Sequence, residues 1–256
     1  MDLSGNTVLI TGGASGIGLA LTERFINAGS EVIIAGRRED KLREAKARFP
    51  GIHTRVCDVS DERDRLSLFN WVKNHFHDFN ILVNNAGIQQ RINLLNAANS
   101  WSYYNNEIAI NLDAPIHLSL LFAPVLLKRK SAAIINISSG LALAPGVWVP
   151  VYSATKAALH SFTVSLRLQL EKNGIRVFEV FPPAVNTDLG GVGLHTFGVN
   201  VDAFADAVFY GLEKGDLEIG YAGTEKRLQA SPEELYQGTK QSWEGFIKNN
   251  PEFLDK

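Results

Sequence analysis

Along this chain, short apolar runs alternate with longer segments whose apolar residues recur at helical spacing. The runs fall at residues 7–11, 31–35, 52–57, 80–84, 132–138, 176–181 and, more weakly, 218–221. The first six read as near-continuous apolar runs, the pattern of strands covered on both faces of a parallel sheet. Helix-period segments lie between them at 16–28, 39–49, 61–75, 107–128, 151–173 and 202–214. Such alternation predicts a doubly wound α/β sheet: a single Rossmann domain over 1–256, with about seven parallel strands and helices on both faces.

Two segments depart from the alternation. Residues 188–200 contain Gly190, Gly191, Gly193 and Gly198 and follow a late strand, where a substrate lid would sit. The tail, 224–256, carries a predicted helix over 232–247 with Trp243 and Phe246 on it. It is expected to pack on the domain or at a subunit interface.

Composition removes several function classes. The chain has 256 residues, is 45% hydrophobic and has a formal net charge of −2. That balance gives no electrostatic footprint for nucleic acid or an anionic membrane. Cys57 is the only cysteine, so an intramolecular disulfide is impossible and a cysteine-based zinc site is not expected. The six histidines are scattered, and no metal site is expected from them. The longest apolar stretch, 108–127, is interrupted by Asn111, Asp113, Pro115 and His117 and reads as a buried helix rather than a membrane span. The polar opening lacks a basic region followed by a long apolar one, so the expected compartment is cytoplasmic.

The first strand runs into a glycine loop, Gly12, Gly13, Ala14, Ser15, Gly16, Ile17, Gly18, and then a helix. A loop there presents unpaired N–H groups to a phosphate. No Lys follows as in nucleotide-hydrolysing loops, so a dinucleotide pyrophosphate fits better than a triphosphate. Gly12, Ser15, Gly16, Ile17 and Gly18 are the candidate contacts. The second strand ends in Gly36, Arg37 and Arg38 where a cofactor without a 2′-phosphate would want a carboxylate. Guanidinium groups pair with a 2′-phosphate, which predicts NADP(H) over NAD(H), with Arg37 as main contact and Arg38 in support.

Tyr152 and Lys156 share a helix face one turn apart. A nearby ammonium favours the phenolate and would lower the tyrosine pKa toward a useful range. Ser139, or its neighbour Ser138, ends the fifth strand and could donate to a substrate oxygen as charge builds. Strand alternation points the two serines to opposite faces without saying which faces inward.

Together these residues resemble the single-domain branch of the short-chain dehydrogenase/reductase family. The resemblance spans nearly the whole chain: Thr11-Gly12-x-x-x-Gly16-x-Gly18, Asp58, Asn84-Asn85-Ala86-Gly87, Asn111, Ser139, Tyr152, Lys156 and Thr187, in that order. Segments 83–88, 154–162 and 181–187 are further similar to oxidoreductases found beside lipoteichoic-acid D-alanylation genes of Gram-positive bacteria. The resemblance implies Tyr152 as general acid/base, Lys156 holding the nicotinamide ribose, Ser139 orienting substrate, and Asn111 supporting a water that links Lys156 to solvent. It implies Asp58 and Val59 at the adenine, Asn85, Ala86 and Gly87 at the adenosine ribose, and Pro182, Val185 and Thr187 around the carboxamide. A homotetramer or homodimer is also implied. Pro182-Pro183 departs from the family's usual Pro-Gly, and Ser15 stands where many NADP-dependent relatives carry a basic residue.

The expected reaction is therefore reversible reduction of a small-molecule carbonyl. One rival is a 3-oxoacyl-carrier reductase, with Lys128, Arg129 and Lys130 as docking patch or merely as charges complementing a helix C-terminus. The other is a non-catalytic NADP(H) sensor, which would need no proton donor.

Overall fold

The computed structural model describes residues 1–254. Seven parallel strands form one sheet in the order β3-β2-β1-β4-β5-β6-β7. They are β1 (Thr7–Thr11), β2 (Glu31–Gly36), β3 (His53–Val56), β4 (Phe79–Asn84), β5 (Ala133–Ile137), β6 (Arg176–Phe181) and β7 (Glu218–Gly220). The order reverses between β1 and β4, and the crevice at the carboxyl ends of those strands is where ligands bind in such sheets.

Alternation along the strands builds two apolar layers. Val8, Ile10, Val32, Ile34 and Val83 face one side, packed with Phe25 of α1 (Gly16–Asn27) and Phe204 of α7 (Val201–Lys214). Leu9, Ile33 and Leu82 face the other, packed with Leu68 of α3 (Glu62–His75) and Phe122 of α5 (Ala114–Leu126). Each layer buries the apolar stripe of its helices, the arrangement that alternating strand and helix patterns require. The expected run at 52–57 is an exception. Here β3 is an edge strand whose residues are partly exposed, so it was never covered on both faces.

Local chemistry fixes several helix starts. Asp61 accepts from Arg63 N at the head of α3, and Asn200 accepts from Asp202 N and Ala203 N at the head of α7. Helix α9 (Pro232–Asn249) begins with Pro232 inside a capping box formed by Ser231 and Glu234. The remaining helices are α2 (Glu39–Arg48), α4 (Trp101–Ile108), α6 (Pro150–Leu170) and the short α8 (Thr224–Arg227).

The helix expected over 107–128 differs in a way that matters. It begins at Trp101, and α4 is joined to α5 by a π-helical turn, Ala109–Asp113. The polar stretch Ser102 to Asn106 hid the first turns from a reading based on apolar periodicity. By length and composition this continuous helix could cross a membrane, yet it carries the buried Glu107 and Asn111 and packs into the α3 side of the sheet.

Candidate active site

The glycine loop forms one end of a cleft of about 1620 Å³ along the carboxyl edge of the sheet. Pockets for one drug-sized molecule span roughly 300–1,000 Å³, so this cleft has room for a dinucleotide and a second molecule. Gly12 has φ +67°, a backbone that L side chains rarely adopt. A Cβ on Gly18 would stand 2.2 Å from the Gly12 carbonyl oxygen and 2.5 Å from Asn85 Nδ2. Glycine there lets β1, α1 and the end of β4 meet.

Helix α1 starts without a side-chain cap and without an acidic residue in its first turn. Its leading N–H groups therefore open onto the cleft, lined here by Gly12, Ser15, Gly16, Ile17 and Gly18. The Ser15 hydroxyl instead accepts from Arg38 Nη2 at 2.7 Å. Arg37 and Arg38 both line the cleft, but Arg38, expected in support, is the one held against the loop.

Thr11 ties the loop to β4. Its Oγ1 accepts from Asn85 N at 3.0 Å and Ala86 N at 3.1 Å. Asn85 Nδ2 donates to Thr11 O and Gly12 O, which commits that side chain to the loop. Ala86 and Gly87 border the cleft beside it, as do Asp58 and Val59. The Asp58 carboxylate accepts from Ser60 N and Ser60 Oγ, closing a turn before α3.

At the other end β5 delivers the two serines. Ser138 Oγ donates to Val180 O at 3.0 Å and is spent on β6. Ser139 begins a 3-10 turn, Gly140–Ala142, where its Oγ accepts from Leu141 N, and it lies close enough to the Tyr152 phenol to oppose the rise in that group's pKa. The choice that alternation left open thus falls on Ser139.

Tyr152 and Lys156 sit on the first turns of α6, both buried. Lys156 Nζ donates to Ile137 O at 2.8 Å and lies 5.6 Å from the Tyr152 ring centroid. Asn111, in the π-helical turn, accepts from Ile88 N and donates to Ile88 O, both at 2.9 Å, and donates to Thr155 Oγ1. Behind the pair is a cavity of about 10 Å³ lined by Thr11, Asn84, Asn111 and Lys156 among others. That is the lower limit for one water.

The expected depression of the Tyr152 pKa is not found in the protein alone. Burial pushes the phenol up to about 12; the Ser139 hydrogen bond opposes this and the Glu107 carboxylate adds to it. Burial also brings Lys156 down to about 8, against the pull of Glu179 and Glu107. Desolvation disfavours the charged form of each group.

The end of β6 supplies a third wall. Pro182 O accepts from Gly140 N, which fixes it to the Ser139 turn. Thr187 stands over the glycine loop, its Cγ2 3.3 Å from where a Gly16 Cβ would be. Pro182, Val185 and Thr187 all line the cleft. The following loop is pinched at its neck by a bridge between Val185 and Val199, and Leu189, His195 and Phe197 on it face the cleft. Burial lowers the His195 pKa.

The tail turned out to have a specific place. Phe246 of α9 stacks on Trp148, with ring centroids 4.6 Å apart and planes 5° apart. Arg91 lies over the other partner of this stack, 5.5 Å from the Phe246 ring centroid. Phe246, Asn249 and Asn250 consequently line the cleft mouth together with Arg227 of α8. Neither Arg227 nor Glu107 was marked by the sequence, where each looks like an ordinary surface charge on a helix. Lys128, Arg129 and Lys130 precede β5 and so lie at the amino edge of the sheet, away from the cleft. Among the described residues one group has metal-ligand spacing, His160, Glu179 and Glu218. His160 is hydrogen-bonded to Glu179 and Glu218 is paired with Arg167, so the group reads as an ion-pair network.

Comparison with known proteins identifies the family and the fold. Residues 6–192 match the family model described as short chain dehydrogenase. The chain is 45% identical to the uncharacterized oxidoreductase DltE of Bacillus subtilis over 224 residues, covering 86% of this chain and 89% of that protein. In fold it resembles a short chain dehydrogenase from Burkholderia cenocepacia in complex with NADP, with a TM-score of 0.82, 24% identity and coverage of 93% and 99%. A Burkholderia phymatum short chain dehydrogenase/reductase in complex with NAD gives a TM-score of 0.80 at 20% identity, covering 91% and 98%.

Proposed function

Since the chain belongs to the short-chain dehydrogenase family, we propose that it is an NADP(H)-dependent reductase of a small-molecule carbonyl, with Tyr152 as general acid. One observation carries the reading. Ser139, Tyr152 and Lys156 converge at one end of the same cleft whose other end is the uncapped helix α1 and its glycine loop. A sensor would not need that convergence.

The donor set fits a nicotinamide dinucleotide. The α1 N–H groups with Ser15, Gly16 and Ile17 would hold the pyrophosphate. Arg37 and Arg38 would hold a 2′-phosphate, with Ser15 already bonded to Arg38. Asp58, Val59, Ala86 and Gly87 would border the adenosine, and Pro182, Val185 and Thr187 the carboxamide. When bound, the nicotinamide supplies the hydride.

The protein's own residues manage the oxygen and its proton. Ser139 and Tyr152 would both donate to the carbonyl oxygen, stabilising the negative charge that builds there. The Tyr152 phenol is protonated at neutral pH and can donate that proton in the direction of reduction. Lys156 would hold the ribose and, with Asn111 and the small cavity beside it, return a proton to Tyr152. The acyl-carrier alternative loses its basic docking patch, because Lys128, Arg129 and Lys130 are not at the cleft.

The test follows coenzyme oxidation against aldehydes and ketones, with coenzyme binding measured separately. Tyr152→Phe should lose roughly 10²–10⁴-fold in kcat while binding NADPH as the wild type does. Full activity in that variant would refute the acid role. A wild-type preference for NADH would refute the assignment to NADP(H).

A further inference from the structure

Arg227 is the feature that carbonyl reduction alone does not use. It ends the four-residue helix α8, which packs directly onto the catalytic turn: a Cβ on Gly140 would stand 2.5 Å from Thr224 Cγ2 and 3.4 Å from Arg227 Nη1. The guanidinium is partly buried and lines the cleft. Its one hydrogen bond to the described protein is Nη1 to Gly140 O, 3.2 Å, one residue from Ser139. A guanidinium has five N–H donors, so most of its donor capacity is left over. No carboxylate pairs with it among the described residues, and burial alone acts on its charge.

The other arginines placed between elements spend their donors on the protein: Arg65, which also has no carboxylate partner, donates to His117 Nδ1 and Val59 O. Arg24 is bonded to Asp202 and Asp206, and Arg167 to Glu218. Arg227 is set apart by its spare donors and its place on the cleft wall. The stacked Trp148 and Phe246 rings supply an apolar wall to the same cleft, and Arg91 adds a second cation over the Phe246 ring.

We propose that Arg227 is the anchor of an anion subsite and that the substrate is an acidic carbonyl compound, carrying a carboxylate or phosphate a few bonds from its reducible carbon. The inference rests on the reductase reading for the carbonyl end of the substrate. The anion end stands on Arg227 itself. Planar oxyanions take two parallel N–H donors from a guanidinium, which would fix the carbonyl against Ser139 and Tyr152. A carboxylate and a phosphate ester share this chemistry, and the probes separate them.

The experiment has a binding arm and a turnover arm, both on the NADPH-bound full chain. In the first, succinate and inorganic phosphate are titrated while tryptophan fluorescence is read, Trp148 being at the site. Wild type should bind at least one of them, and Arg227→Gln should weaken that binding by about ten- to a hundredfold. Arg227→Lys should retain part of it, and thermal melting checks that both variants fold. In the second arm, 4-oxobutanoate is compared with butanal, and glyceraldehyde 3-phosphate with glyceraldehyde. Wild type should favour one acidic member, and Arg227→Gln should cut its kcat/KM by about tenfold more than that of the neutral partner. Anion binding that is absent in wild type, or equal in Arg227→Gln, overturns the subsite whatever the turnover. Anion binding lost in the variant without turnover of any carbonyl keeps the subsite and overturns the reductase reading instead. A wild type that prefers the neutral members overturns the acidic substrate.

Discussion

Glu107 shows how burial alone can change what a residue is. It sits four positions before Asn111 on the long helix; its Oε1 accepts from Gln90 N at 3.0 Å, and its Oε2 is buried without a partner. Asn111 holds Ile88 in the same way, so the two side chains together fix the backbone of 88–90 along the cleft wall. Burial raises the Glu107 pKa from 4.5 to about 7, opposed by the Gln90 N–H and by Lys156. The folded state therefore binds a proton that the unfolded chain has released between those values. Stability should fall as pH rises through the window from 4.5 to about 7. Glu107→Gln keeps the Gln90 contact and should remove that slope, which urea unfolding at several pH values would reveal. An unchanged slope in the variant would place the titration elsewhere. The sequence marked Tyr152, Lys156, Asn111 and Ser139 because their types and spacing carry chemistry in themselves. Glu107 and Arg227 carry theirs only through their surroundings.

At the scale of elements, the π-helical turn and α9 matter most. The turn lets one continuous helix place Asn111 against Ile88 and Thr155 while α5 still packs on the sheet. Helix α9 has no buried residue of its own and meets the domain through Phe246, which stacks on Trp148 and lies under Arg91. Such contacts are worth about 0.5–1.5 kcal/mol each beyond area burial. Phe246→Ala should therefore loosen α9 locally, seen as faster amide exchange in 232–249, with α6 amides unaffected. Equal exchange before and after the substitution would mean that another contact anchors the helix. The sequence singled out residues 188–200 by their glycines and their place after a late strand, and Leu189, His195 and Phe197 of that loop line the cleft. The place of α9 at the cleft was not legible, because amphipathicity predicts a helix and not the surface it lands on.

Across the whole molecule, apolar residues remain uncovered on the long helices. Leu120 of α5 is 60% exposed and Leu168 of α6 is 67% exposed. A homodimer or homotetramer closing these faces is the expected assembly, and light scattering of the dilute protein checks it. Charged substitutions Leu120→Glu and Leu168→Glu together should shift the mass toward the monomer. A wild type that is monomeric throughout would refute the assembly. The sequence by itself determined the parallel doubly wound sheet, its seven strands, the glycine loop and the order of the candidate catalytic residues. These are set by local periodicity, backbone freedom and residue type, all of which are written in neighbouring positions. Only the tertiary structure decided that Ser138 is spent on β6 while Ser139 lies by Tyr152, that burial raises the Tyr152 pKa, and that Arg227 and Phe246 border the cleft. Each of those depends on what lies across a gap in the chain, where desolvation and contact between distant segments outweigh any local preference.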